Sequence, residues 1–242
     1  MRLWTQDLVK KYKSRTVVNE VSIDVNQGEI VGLLGPNGAG KTTTFYMTVG
    51  LIRPNAGHIF LDDKDITNDP VYRRAQLGVG YLAQEASVFR RLSVEDNIRA
   101  VLQMTSYTKE YQKERLEYLI KEFSLERVRK SMGQQLSGGE RRRTEIARAV
   151  SINPKFILLD EPFAGVDPIA VAEIQSIVSS LKELNIGVII TDHNVHETLS
   201  ITDRTYILVE GKVIRTGSAE ELASDEYVRR VYLGPNFKLR HK

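Results

Sequence analysis

The sequence predicts an α/β fold: a parallel sheet flanked by helices, extended by an antiparallel β part and interrupted by a helical insert. Three observations carry this reading. The apolar run Glu29-Ile-Val-Gly-Leu-Leu leads into Gly35-Pro36-Asn37-Gly38-Ala39-Gly40-Lys41-Thr42 and then into helix-compatible Thr43-Thr-Phe-Tyr-Met, a strand–loop–helix unit. Further short apolar runs, Leu77–Gln84, Phe156–Glu161 and Ile186–His193, each end in polar residues, as do buried strands whose carboxyl ends face a ligand. Residues 93–130 lose the strand rhythm: Leu116, Leu119, Ile120 and Phe123 recur at helical spacing with charges opposite.

The first unit carries chemistry. Gly35 to Thr42 fit the pattern Gly, four residues, Gly-Lys-Ser/Thr, the P-loop. Its glycines let backbone N–H groups approach phosphate oxygens without a Cβ in the way. The helix opening near Gly40 adds its positive end. Lys41 is expected to reach the β- and γ-phosphates and the Thr42 hydroxyl to ligate Mg²⁺, so the chain is predicted to bind a nucleoside triphosphate.

Composition bounds the setting. A chain of 242 residues with 41% hydrophobic and 27% charged residues is an ordinary globular protein. No apolar run approaches the roughly 18 residues that cross a bilayer, so no direct membrane insertion is expected. With no signal-peptide core at the N-terminus, the expected location is cytoplasmic. The absence of cysteine removes disulfide and thiol chemistry. A net charge of +3 permits a membrane-surface or nucleic-acid partner and demands neither.

In chain order, Arg2 to Val25 alternates as antiparallel strands with one wet face, and Gly57–Asp63 adds a strand to that sheet. Tyr12 is expected in the turn between the first strands, flanked by Lys10, Lys11 and Lys13; it is either a purine-stacking aromatic or an exposed hairpin tyrosine. Gln84 is expected at the carboxyl end of its strand, pointing into the ligand crevice. Ser137 and Glu140 stand at capping-box spacing and open a helix. Gly138 and Gly139 inside its first turn cost about 1 kcal/mol each relative to Ala. A phosphate approaching that helix end would account for them, and it would need a second nucleotide or a second chain. Asp160 is expected to hold Mg²⁺ through water and Glu161 to orient or deprotonate the attacking water. Asp167 lies in a turn able to touch a partner. His193 ends another buried strand, where a γ-phosphate contact outweighs a structural role. The arginines 141–143 are expected on a solvated helix face. Ser218 and Glu221 cap the closing helices, and the tail from Phe237 is basic and expected to be loose.

Together the motifs resemble the ATP-binding subunits of ABC transporters over essentially the whole chain: the P-loop, Gln84, Leu136-Ser-Gly-Gly-Glu, Phe156-Ile-Leu-Leu-Asp-Glu, Asp167 and His193, in that order. The resemblance implies a RecA-like P-loop NTPase core with antiparallel β and helical subdomains. The β part would span about 1–30 and 57–66, the core 28–92 and 150–217, the helical part 93–150 and the closing helices 218–242. It implies that Tyr12 stacks on adenine and that Gln84 joins Thr42 and Asp160 around Mg²⁺. It also implies that two copies pair head-to-tail, each ATP lying between one P-loop and the other copy's Ser137-Gly138-Gly139, with two integral membrane subunits as partners.

Gly80-Tyr-Leu-Ala-Gln-Glu-Ala-Ser-Val-Phe-Arg-Arg-Leu and the ending Val-Tyr-Leu-Gly-Pro-Asn-Phe-Lys-Leu are similar to the lipopolysaccharide-export branch, which works at the cytoplasmic face of the inner membrane. In that branch Phe89, Arg90, Arg91 and Leu92 would line the groove that receives the membrane partner. Ala83 departs from the proline usual before the glutamine. A branched-chain amino-acid importer subunit has similar catalytic motifs. A soluble ATPase acting on ribosomes or DNA fits less well, since there is one P-loop and no heptad-bearing insert between it and the signature. No nucleic acid is expected as a partner.

Overall fold

The computed structural model describes residues 1–239; Arg240, His241 and Lys242, the end of the basic tail, lie outside the described residues. The chain opens with β1 (Arg2–Tyr12), β2 (Arg15–Val21) and β3 (Asp24–Asn26), then β4 (Ile30–Leu34) and α1 (Lys41–Val49) around the P-loop. After β5 (Ala56–Leu61) and β6 (Lys64–Asp65) come α2 (Val71–Gln76), β7 (Val79–Leu82), α3 (Val94–Leu102), α4 (Lys109–Glu122) and α5 (Gly138–Val150). The second half alternates: β8 (Phe156–Asp160), α6 (Pro168–Glu183), β9 (Gly187–Thr191), α7 (Val195–Leu199), β10 (Arg204–Val209). It closes with β11 (Lys212–Gly217), α8 (Ala219–Ser224), α9 (Glu226–Val228) and a wider π turn over Arg229–Leu233.

These elements form two sheets. The antiparallel one runs β2-β1-β5-β6, with β3 also on β1. Along β1, Leu3 and Thr5 are buried while Arg2 and Gln6 are exposed, as the alternation requires; an irregularity at Asp7, with φ +49°, then shifts the phase so that Leu8 is buried. Tyr12 is the last residue of β1, opposite Arg15, so the turn proper is Lys13-Ser14. The larger sheet runs β11-β10-β4-β9-β8-β7, parallel from β10 to β7.

The two faces of the large sheet explain its unbroken apolar strands. Ile157 and Leu159 join the core built with α3 to α6, whereas Phe156 and Leu158 face α1 and the antiparallel sheet. Leu116, Leu119, Ile120 and Phe123 are buried in the first of these cores, as their spacing predicts. β7 stops at Leu82, so Gln84 sits two residues beyond the strand, in the loop that leads toward α3.

Candidate active site

Four neighbouring parallel strands, β4, β9, β8 and β7, deliver their carboxyl ends to one edge of the sheet. That edge therefore gathers the P-loop, His193, Asp160 with Glu161, and Gln84, as expected for a ligand site in an open α/β sheet. A cleft of about 170 Å³ lies there, lined by Asn37, Gly38, Gly40, Lys41, Thr42 and Glu161, together with Val17, Ala39 and Thr43. Gly35 and Pro36 sit behind the lining, and their carbonyls accept from Lys41 Nζ at 2.7 and 3.1 Å. Gly35 has φ +155°, and a Cβ there would lie 1.9 Å from the Leu208 carbonyl oxygen, so no side chain fits. Burial draws the Lys41 ammonium below its ordinary value, while Glu161, Asp160 and Asp192 pull it back up.

The carboxylates sit in unlike surroundings. Asp160 is 1% exposed; its Oδ2 accepts from the Tyr81 hydroxyl at 3.3 Å and its Oδ1 is buried with no partner. Burial pushes its carboxyl up to about 6; the neighbouring Glu161 adds to this, and the Tyr81 hydrogen bond, Arg142 and Lys41 oppose it. Tyr81 is itself pushed well above the usual phenol range, first by burial and then by Asp160, so it remains a donor. Glu161 follows with φ +46°, a left-handed conformation that costs of order 1–3 kcal/mol outside glycine. Its N–H bonds the Thr191 carbonyl on β9, which pins the turn and presents the carboxylate to the cleft. There Glu161 Oε2 accepts from Gln84 Nε2 at 2.8 Å and lies 3.3 Å from His193 Nδ1. The structure thus brings Glu161, Gln84, His193, Lys41 and Thr42 together.

It does not bring the signature to that cleft. Ser137 caps α5 in a capping box with Glu140, accepting from Glu140 N at 3.3 Å. Neither Ser137 nor Gly138 lines the cleft; α5 packs on α3, α6 and β7, whereas α1 packs on β1, β2, β7 and β8. Gly139 has a packing reason inside the chain, since a Cβ there would sit 2.5 Å from the Ala170 Cβ. Its presence therefore needs no ligand, contrary to the argument from helix propensity. Asp167 caps α6, accepting from Ile169 N and Ala170 N at 3.1 Å. Tyr12 is 49% exposed with Lys10 Nζ 5.4 Å from its ring centroid. It does not line the cleft; its strand partner Arg15 does lie beside Gly38.

The expectation of a solvated arginine face fails at Arg142, which is 5% exposed. Its guanidinium donates to the Ala83 and Asp160 carbonyls at 2.8 and 3.0 Å and pairs with Glu145 at 3.3 Å. Glu145 in turn accepts from Ser87 N and Val88 N at 2.6 and 3.0 Å. The arginine thus ties α5 to the Gln84 loop and to β8. Its i, i+3 pairing with Glu145 is visible in the sequence; its bonds to the Gln84 loop and to the end of β8 are not.

A second cleft, of about 310 Å³, opens between α2, α5 and β7, lined by Val71, Ala75, Tyr81, Val101, Arg148 and Ile152 among others. Phe89, Arg90, Arg91 and Leu92 do not line it; all four are exposed, and Phe89 reaches its lining residue Arg148. Phe89 stacks under Arg148 at 4.7 Å, and the Asn97 side chain holds its backbone at both N–H and C=O. The four residues expected to line a partner groove therefore do not line this cleft, whose own lining is mostly apolar with Arg148 and Glu145 as its charged members.

The residues fit magnesium. An unpartnered, buried carboxylate oxygen calls for a cation or water, and the Thr42 hydroxyl, Asp160 and Gln84 are oxygen donors of the kind this ion takes beside phosphates. Among the described residues no group of three or more His, Cys, Asp or Glu is placed to hold a metal ion by itself.

The ABC transporter family model matches residues 18–164, more than half of the chain. The chain belongs to the ABC transporter ATP-binding family. It is 57% identical over 238 residues to the lipopolysaccharide export system ATP-binding protein LptB of Haemophilus influenzae, covering 98% of this chain and 99% of that one. It is 58% identical, over the same share of both, to LptB of Escherichia coli K12. Among solved structures it resembles the ADP form of the ABC cassette MJ1267, with a TM-score of 0.86 and 27% identity over 97% of this chain and 99% of that one. A dimeric post-hydrolysis state of the cassette MJ0796, bound to ADP and Pi, aligns at a TM-score of 0.77 and 25% identity over 90% and 98%. The fold of this ABC chain is that of these cassettes.

Proposed function

We propose that this chain is the ATP-hydrolysing subunit of a lipopolysaccharide export transporter, acting as a homodimer beneath two integral membrane subunits. The observation that carries the chemistry is Glu161 in the wall of the P-loop cleft, held by Gln84 and His193. The export assignment rests on the two LptB relatives, each matched across nearly its whole length.

In this reading the P-loop amides and Lys41 grip the phosphates of ATP. Lys41 leaves the Gly35 and Pro36 carbonyls, and burial, which weakens its ammonium in the free cleft, is offset by phosphate charge. Thr42, Asp160 and Gln84 hold Mg²⁺, which supplies neutralisation of charge on the β- and γ-phosphates. Glu161 accepts the proton of the attacking water, and His193 steadies the γ-phosphate. Tyr12 stacks on the adenine. Ser137, Gly138, Gly139 and Asp167, remote from their own chain's cleft, complete the cleft of a second copy. ATP then closes the pair and hydrolysis reopens it. The apolar cleft beside Phe89 takes a helix of the membrane partner, with Arg90, Arg91 and Leu92 at its rim. Attachment to the inner membrane's cytoplasmic face runs through those partners; among the described residues no helix is long and apolar enough to cross a membrane.

Glu161→Gln tests the chemistry: ATP binding stays intact and turnover falls by on the order of 10²–10⁴. The variant with ATP should sediment as a dimer, and a persistent monomer at high concentration would count against the shared site. Replacing the Escherichia coli relative with this chain and following newly made lipopolysaccharide to the cell surface tests the cargo; no delivery would reject the export assignment.

A further inference from the structure

The hydroxyl of Tyr81 donates to the carboxylate proposed to hold magnesium. On β7, Tyr81 stands opposite Leu158 of β8. Asp160 lies two residues further along β8, on the same face of the sheet, within reach of a phenol. The hydroxyl meets Asp160 Oδ2 at 3.3 Å and leaves the buried Oδ1 without a partner. The ring is fixed independently: Tyr46 of α1 meets it edge-on with centroids 6.2 Å apart and planes at 90°. Tyr81 is also among the residues lining the apolar cleft, with Val71, Ala75 and Ile152. One residue therefore meets the helix that follows the P-loop, the Asp160 carboxylate and the cleft proposed for the membrane partner.

We propose that Tyr81 is a positioning residue for the metal: its hydroxyl orients Asp160 so that the free oxygen faces the ion, and its ring places that orientation next to the partner cleft. A carboxylate with two equivalent oxygens rotates about its last torsion with little resistance. A donor on one oxygen selects which lone pairs remain for the ion, as outer-shell partners do at other metal sites. The backbone of Asp160 is held separately by Arg142, so the hydroxyl governs the carboxylate and not the strand. The inference rests on the assignment of Asp160 to the magnesium site.

The test uses Tyr81→Phe, which keeps the ring and its packing, in the full chain carrying Glu161→Gln so that bound ATP is not consumed. Mn²⁺ serves as the probe, its binding to the ATP-loaded protein read by electron paramagnetic resonance. Loss of the hydroxyl should weaken Mn²⁺ affinity by roughly tenfold or more, the usual worth of an outer-shell partner. ATP affinity without metal and the metal-free melting temperature should change little. Mn²⁺ affinity within about twofold of the parent would overturn the proposal while leaving the ATP site standing. Failure of both proteins to bind ATP would instead reject the nucleotide-site reading and the proposal with it. If Tyr81→Phe lowered metal-free ATP binding and the melting temperature along with Mn²⁺ affinity, the hydroxyl would be holding the fold, and the proposal would again fall.

Discussion

Glu95 and Asp160 are both buried carboxylates, and they are kept in opposite conditions. The Glu95 side chain, 6% exposed in the helical part, receives Arg129 Nε on one oxygen and Lys130 Nζ on the other, with Arg99 at 3.4 Å. Those hydrogen bonds, from Lys130 first and Arg129 next, hold its carboxyl down to about 2. Asp160, 1% exposed in the core, has one phenol on one oxygen and nothing on the other, and burial lifts it to about 6. A satisfied charge belongs to the scaffold. An unsatisfied one is a cost that the fold accepts only where something else will bind.

The contrast breaks first on activity. Asp160→Asn should lower Mg²⁺-dependent turnover by about 100-fold or more, since a metal ion contributes several kcal/mol to the transition state. Glu95→Gln should leave turnover per folded molecule unchanged. Equal losses in both would show that Asp160 supports the fold and not the ion.

On stability the two should trade places. Removing Glu95 by Ala strips Lys130 of its carboxylate and leaves Arg129 with Glu117 alone, and should destabilise the subunit by about 2 kcal/mol, less than a fully buried pair because both cations reach solvent. For a chain of this size that is a fall of roughly 4–8 °C in melting temperature. Asp160→Asn removes an unpaired buried charge and should raise the metal-free melting temperature near neutral pH, with the nucleotide site sacrificed.

The pH dependence sharpens the same point, because the signs differ. Glu95 has its folded value depressed, so its contribution is complete above about pH 4.5 and is lost as pH falls toward 2. Asp160 has its folded value raised. The metal-free fold is therefore favoured below the unfolded value of 3.8 and loses that advantage as pH rises to about 6. The melting-temperature gain of Asp160→Asn should accordingly shrink toward zero between pH 6 and 4. A gain that stayed constant across that range would mean the carboxylate is not the source.

These two residues also mark what the sequence makes legible. Asp160 is readable because a run of apolar strand residues ending in acids after a P-loop has few structural explanations, and the parallel sheet sets both at one edge. Glu95 is so only in part: its i, i+4 pairing with Arg99 is local, but its two hydrogen-bonding partners stand 34 and 35 positions away along the chain and no local spacing encodes them. Arg142 misleads for the same reason: three adjacent arginines look solvated until the Gln84 loop and β8 close over the middle one. Gly139 shows the converse, a local pattern that suggests a ligand where a neighbouring helix already explains it. Tyr81 combines both cases, since its strand is legible while its bond to Asp160 depends on the register of β7 on β8.

The smallest expected effect on the fold lies at Arg91, beside the apolar cleft. Among the described residues its side chain makes no hydrogen bond or ion pair, and it is exposed. Arg91→Ala should change stability by no more than about 0.5 kcal/mol, as surface substitutions away from packed features do. If the cleft receives a membrane partner, the same substitution should release part of the subunit from membranes, and Phe89→Ala should release more, because it also removes the ring packed under Arg148. The comparison with Asp160 then extends to a cation: a charge without a partner in the isolated chain acquires one in the assembly. Retention unchanged in both variants, with ATP binding intact, would place the attachment on another surface.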